Sequence, residues 1–98
     1  MHEQKHPCVY ILANQREGRL YTGVTSKLRN RVPSHHEGAK TAFTSRYGIY
    51  KLVWFEEHSD METAIRREKQ IKKWNRAWKV RLIEKVNPEW LDLLGDIA

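Results

Sequence analysis

Two short apolar runs joined by a polar, glycine-containing linker fix the first quarter of this chain as a β-hairpin. Cys8 to Ala13 reads C-V-Y-I-L-A; N-Q-R-E-G-R follows, and L-Y-T-G-V begins at Leu20. Both runs are too short for stable helices, are rich in strand formers and are bounded by turn residues, so each reads as a strand. In a roughly symmetric hairpin Tyr10 and Tyr21 lie on paired strands, with their phenols on one face about 5 to 8 Å apart. Either tyrosine taken alone reads first as a sheet aromatic filling core.

The second strand leads into a concentrated stretch. Leu20 to His36 reads L-Y-T-G-V-T-S-K-L-R-N-R-V-P-S-H-H. Ser26 is an N-cap candidate, and Leu28 and Val32, four apart, are the apolar positions of a helix that carries Arg29, Arg31, His35 and His36. Pro33 removes a backbone donor, so this helix either starts near Asn30 or bends. Two readings stand for the stretch. One is a phosphodiester-handling site, with a phenol for proton transfer, guanidinium for phosphate charge and imidazole as acid, base or donor; the other is an amphipathic helix with a basic face. Gly38 reads as a stop, and T-A-F-T-S-R-Y-G as a turn whose Thr44, Ser45 and Arg46 either contact phosphate or are solvated.

Lys51 to Glu57, K-L-V-W-F-E-E, is a third strand, expected to be the buried one because L-V-W-F is continuously apolar. Ser59-Asp-Met-Glu62 has the form of a capping box and opens a helix to about Asn75, with Met61, Ala64, Ile65 and Ile71 facing the core. A second helix, Arg76 to about Val86, has Ala77, Trp78, Leu82 and Ile83 as its apolar set, and Pro88 begins a last turn. The order predicts a single α+β domain: a small three-stranded antiparallel sheet flanked by helices, over residues 8–94, between short tails 1–7 and 95–98. At 98 residues there is room for one modest core, burying about 60 to 65% of the unfolded surface.

Charge narrows the partner. The formal net charge is +6 and the pI about 9.7, which favours an anionic partner such as nucleic acid, and the tryptophans and tyrosines can stack on bases. From Ala64 to Ile83 the basic residues include Lys72, Lys73 and Arg76, and the only acid is Glu68. Solvated helices usually mix signs, so this surface reads as phosphate-facing. Glu68 then has two readings: a carboxylate holding a hard divalent cation, with water and phosphate completing the shell, or an i,i+4 salt bridge to Lys72. Cys8, the single cysteine, cannot form an internal disulfide and reads as a small buried strand residue. No Cys/His spacing suggests zinc. Neither an export signal nor a membrane span is recognisable, so the expected compartment is the reducing cytoplasm, association with the nucleoid included.

Tyr10 within C-V-Y, Tyr21 within Y-T-G, Arg31 ten residues later, His35 one helical turn beyond and Glu68 on a later helix together resemble the GIY-YIG nuclease family. The small stand-alone bacterial members are the best match, a resemblance shared by R-R-E-K-Q-I-K-K-W and N-P-E-W-L-D-L. The literal G-I-Y at Gly48 to Tyr50 is a decoy, because it follows the Arg/His segment instead of lying on the first strand. The resemblance implies hydrolysis of DNA phosphodiester bonds at a single-metal site. Glu68 would bind Mg²⁺ or Mn²⁺, Arg31 would stabilise the pentacovalent phosphate, and Tyr10, Tyr21 and His35 would share water activation. A phenol titrates near 10 in water, so nearby cations must favour its phenolate, and which of the three acts as base stays open. Arg29, Arg46, Lys72, Lys73 and Arg76 are the DNA-contacting candidates, and single-stranded or branched DNA is the expected preference because no separate duplex-reading domain is present.

The chain departs from the pattern at several positions. Cys8 stands where the first motif has Gly, Thr22 where the second has Ile or Val, and Val24 where repair-incision members have lysine; Asn75 is a candidate for the family's late Asn. The other functional class is a non-catalytic nucleic-acid-binding module using the basic helical surface. Retention of all five motif residues favours the enzyme, because a binding module has no need for a carboxylate that repels phosphate.

Overall fold

In the computed structural model, residues 6–15, 18–28 and 51–93 are described. The helix expected after Ser26, with Arg29, Arg31, His35 and His36, and the turn carrying Arg46 lie outside these residues. The described elements are β1 (Cys8–Ala13), β2 (Leu20–Thr25), β3 (Lys51–Glu57), α1 (Met61–Lys72) and α2 (Arg76–Val86). The sheet is antiparallel, in the order β2-β1-β3, as the α+β reading required.

The centre of the sheet belongs to β1, not to the third strand. Every residue of β1 is buried, because it pairs on both sides and is covered on both faces. Strand alternation sends Val9, Ile11 and Ala13 to one face and Cys8, Tyr10 and Leu12 to the other, which gives two apolar clusters. The first cluster, with Val53, Trp54, Ala64, Ile71, Ile83 and Trp90, is closed over by the helices. The second contains Leu28 and Leu52, with Tyr21, Phe55 and Leu93 packed against it.

The unbroken L-V-W-F run has a geometric cause. The β1–β3 register shifts between Ile11, opposite Trp54, and Leu12, opposite Leu52, leaving Val53 as the extra residue. This bulge lets both Val53 and Trp54 join the helix-side cluster while Leu52 and Phe55 pack on the other side. β3 is therefore an edge strand apolar on both faces.

Capping fixes the helices. The N-cap of α1 is Asp60, one residue beyond the expected Ser59; its carboxylate accepts from the Thr63 amide at 2.8 Å. The helix ends at Lys72, short of the expected Asn75, because Asn75 caps α2 by accepting from the Trp78 amide at 2.9 Å. α1 buries Ala64, Glu68 and Ile71. Ile65, expected inside, is exposed, as are Ala77 and Trp78 of α2, whose buried residue is Ile83.

His6 and Pro7, the two described residues before β1, are also tied down. The His6 amide donates to Ser26 O at 3.0 Å and the His58 amide to Pro7 O at 2.8 Å. After α2, buried Asn87 donates through Nδ2 to the carbonyls of Val53 and Leu91 and accepts from the Leu91 amide. Trp90 takes a left-handed conformation, φ 56°, and is fully buried, with its indole N–H donating to Glu84 at 2.6 Å.

Candidate active site

The hairpin register explains the Y-T-G motif in physical terms. Tyr10 lies opposite Gly23, and Tyr21 opposite Leu12, so the two tyrosines form a diagonal pair on one face. Their ring centroids are 6.3 Å apart with the planes tilted by 51°. A Cβ on Gly23 would come within 2.6 Å of both Cζ and Oη of Tyr10. Glycine is required there because the Tyr10 phenol lies directly over it. Tyr10 is fully buried and its hydroxyl is shielded from solvent, whereas Tyr21 is half-buried at the edge strand. The expected phenol pairing is present, within the predicted distance.

Glu68 comes from the other direction. It lies on the buried face of α1 with Ala64 and Ile71, and α1 packs on β2 and β1 from the side of Val9, Ile11 and Ala13. Its carboxylate is paired with Lys72 Nζ at 2.7 Å; the Glu68 side chain is 10% exposed and that of Lys72 53%. The i,i+4 salt bridge weighed as an alternative from the sequence is thus present, and Lys72, a candidate DNA contact, has its ammonium on Glu68. The sheet lies between the phenols and the helix that carries Glu68, and the two faces meet at the rim of edge strand β2. Thr22, between Tyr21 and Gly23, turns its hydroxyl to the helix side, where it is buried with no hydrogen-bond partner among the described residues.

Among the described residues, no three His, Cys, Asp or Glu side chains converge as metal ligands. The donor set fits one hard cation held through a single carboxylate, with water and phosphate completing its shell, and excludes a multi-carboxylate cage from these residues. Glu68 would hold it. Burial pushes the Cys8 thiol up to about 11, so the buried strand cysteine is inert as nucleophile or ligand.

Other sequence candidates sort cleanly. Lys73 and Arg76 are exposed at the α1–α2 junction. Asn75 spends its side chain as a cap. Arg67 is a strut: its Nε donates to Glu56 at 3.1 Å and its guanidinium lies 5.3 Å from the centroid of the Trp74 ring. Glu56 also takes the His58 imidazole at 2.8 Å. The close contact between Gly23 and Tyr10 escapes a reading of the sequence, although a glycine inside a strand is the usual sign of such an approach.

The tyrosine pair on the antiparallel hairpin and the buried carboxylate on the helix behind it are held together in one small α+β domain. Residues 6–81 match the GIY-YIG catalytic domain, and the chain belongs to that nuclease family. It is 41% identical over 75 residues to UPF0213 protein CPE1444 of Clostridium perfringens, covering 76% of this chain and 80% of that protein. It is 40% identical over 82 residues to a UPF0213 protein of Syntrophus aciditrophicus, covering 83% and 92%. The solution NMR structure of UPF0213 protein BH0048 from Bacillus halodurans is similar with a TM-score of 0.56 at 28% identity, covering 89% of this chain and 92% of that one. No helix among the described residues is long and apolar enough to cross a membrane.

Proposed function

We propose that this chain is a metal-dependent endonuclease that hydrolyses DNA phosphodiester bonds, with single-stranded or branched DNA preferred. The observation that carries this reading is the Tyr10–Tyr21 pair, with the Tyr10 phenol over Gly23, in a chain of the GIY-YIG family. Glu68 is the residue to hold Mg²⁺ or Mn²⁺, which when bound supplies charge stabilisation to the reacting phosphate. Arg31 stabilises the pentacovalent phosphate through its guanidinium fork. Tyr10, Tyr21 and His35 orient the attacking water and take its proton. A phosphodiester at the β2 rim would be open to groups from both faces of the sheet. Arg29, Arg46, Lys73 and Arg76 contact the flanking phosphates, joined by Lys72 when its ammonium leaves Glu68.

A non-catalytic nucleic-acid-binding module is the second reading, and the Glu68–Lys72 pair is the observation that favours it, since a paired carboxylate needs no metal. Incubating purified protein with single-stranded, duplex and branched DNA, with and without Mg²⁺ or Mn²⁺, separates the two. The enzyme reading expects metal-dependent products that vanish in chelator. It also expects Arg31→Ala to abolish cleavage while DNA affinity changes by less than about threefold, because one cation of many contributes little to binding. Binding without any cleavage leaves the module.

A further inference from the structure

The side of α1 turned away from Glu68 has a surface of its own. Arg66, Lys69, Gln70 and Lys73 recur at i, i+3, i+4 and i+7, so they form one stripe about 10 Å long on the outer face of the helix. With Trp74 they line a groove of about 510 Å³, within the range that accepts a nucleotide-sized ligand. Arg66 is engaged by Glu62 at 3.2 Å, but among the described residues neither Lys69 nor Lys73 has an acidic partner.

The aromatic residues beside this groove are arranged for use. Trp74 is anchored, half-buried against the helix-side cluster, and holds the Arg67 guanidinium 5.3 Å from its ring centroid. Trp78 meets it edge-on, with centroids 5.8 Å apart and planes at 77°. Trp78 itself is 50% exposed. Core packing therefore does not account for a large indole at this position, while its contact with Trp74, which lines the groove, restrains it.

We propose that the outer face of α1 and Trp78 form a docking surface for single-stranded DNA, with phosphates along Lys69 and Lys73 and a base stacked on the Trp78 indole. A cationic track with an exposed ring beside it suits a strand whose bases are free, because a duplex offers the same phosphates but keeps its base faces stacked. The surface would hold a strand apart from the Glu68 side of the helix. The inference rests on the reading of DNA as the partner, not on cleavage.

The test measures anisotropy of a labelled oligo-dT and of a duplex of equal length with the full chain, in chelator so that nothing is cut. Trp78→Ala should weaken oligo-dT binding roughly tenfold or more and leave duplex binding within about twofold. Trp78→Phe, which keeps a ring, should retain most of the affinity, and the melting temperature of both variants should stay near wild type. Lys69→Gln and Lys73→Gln should each lower the slope of log K against log salt by about 0.7 on the single strand. Wild-type affinity of folded Trp78→Ala for oligo-dT, or an equal loss on duplex, would overturn the proposal. A chain that cleaves no DNA but shows the Trp78 dependence supports this surface while removing the nuclease reading.

Discussion

The two faces of α1 treat charge in opposite ways. On the outer face Glu62 and Arg66 pair at 3.2 Å with side chains 81% and 69% exposed, and water carries most of their solvation. On the inner face Glu68 sits among Ala64 and Ile71, and its carboxylate, nearly shut off from solvent, meets Lys72 at 2.7 Å. The first pair contributes about 0 to 1 kcal/mol, as exposed pairs do. The second must recover a desolvation cost that an alanine at position 68 would not incur. An inward carboxylate is thus a poor way to stabilise a helix and a good way to keep a negative charge fixed near the sheet.

The largest contrast should appear in catalysis. Glu68→Gln preserves shape and removes the charge that holds a hard cation, so metal-dependent cleavage should fall by two or more orders of magnitude, whereas Glu62→Gln should cut DNA like wild type. Equal activity of the two variants in a cleavage assay would remove Glu68 from the chemistry. The next contrast is in packing. Ile71→Ala should cost about 2 to 5 kcal/mol in urea unfolding, and Ile65→Ala, on an exposed side chain, less than about 1. Smaller again is Lys72→Met, which leaves Glu68 without its partner. Because Lys72 is half exposed and the Glu68 side chain keeps 10% of its surface open, water can partly take the ammonium's place; the expected loss is about 1 kcal/mol, and it should vanish in the Glu68→Gln background.

The smallest effect lies at the start of the helix. The Thr63 amide and hydroxyl hold the Asp60 carboxyl below its usual value, so the folded state favours its ionised form. The cap's contribution is fully present above about pH 4, the ordinary carboxylate range, and is lost as the pH falls through and below it. Asp60→Ala should therefore lower the melting temperature slightly at pH 7, and by less in acid below the ordinary carboxylate range.

The same helix shows what a sequence can and cannot reveal. β3 and α2 have the expected bounds because each is delimited by unmistakable neighbours: polar residues after Glu57, an Asn cap before Arg76 and Pro88 beyond Val86. The end of α1 falls earlier than its pattern suggests because Asn75 cannot both end one helix and cap the next. Counting apolar residues puts Ile65 inside, since the stripe that is actually buried has a Glu at its middle and hydropathy alone is phased wrongly by it. Hydropathy turns Trp78 inward for the same reason: an indole scores as core wherever it stands. Trp90 leaves no signal, because a left-handed tryptophan is uncommon and is held only by its burial and its bonds to Glu84 and Asn87. Of the candidate site, the tyrosine pair is legible because strand alternation is strict. The diagonal register is not, since it depends on the loop between the strands.

The position of Tyr10 on the central strand has a consequence for how the protein can evolve and breathe. Amides of a strand paired on both sides and covered on both faces exchange with deuterium only when the whole domain opens. The Tyr10 phenol thus has no private softness: whatever loosens it unfolds the chain. Tyr21, on the edge, can shift by local fraying of β2. Adaptation to a new substrate shape would therefore be expected to proceed through the rim, around a reference point that the fold holds still.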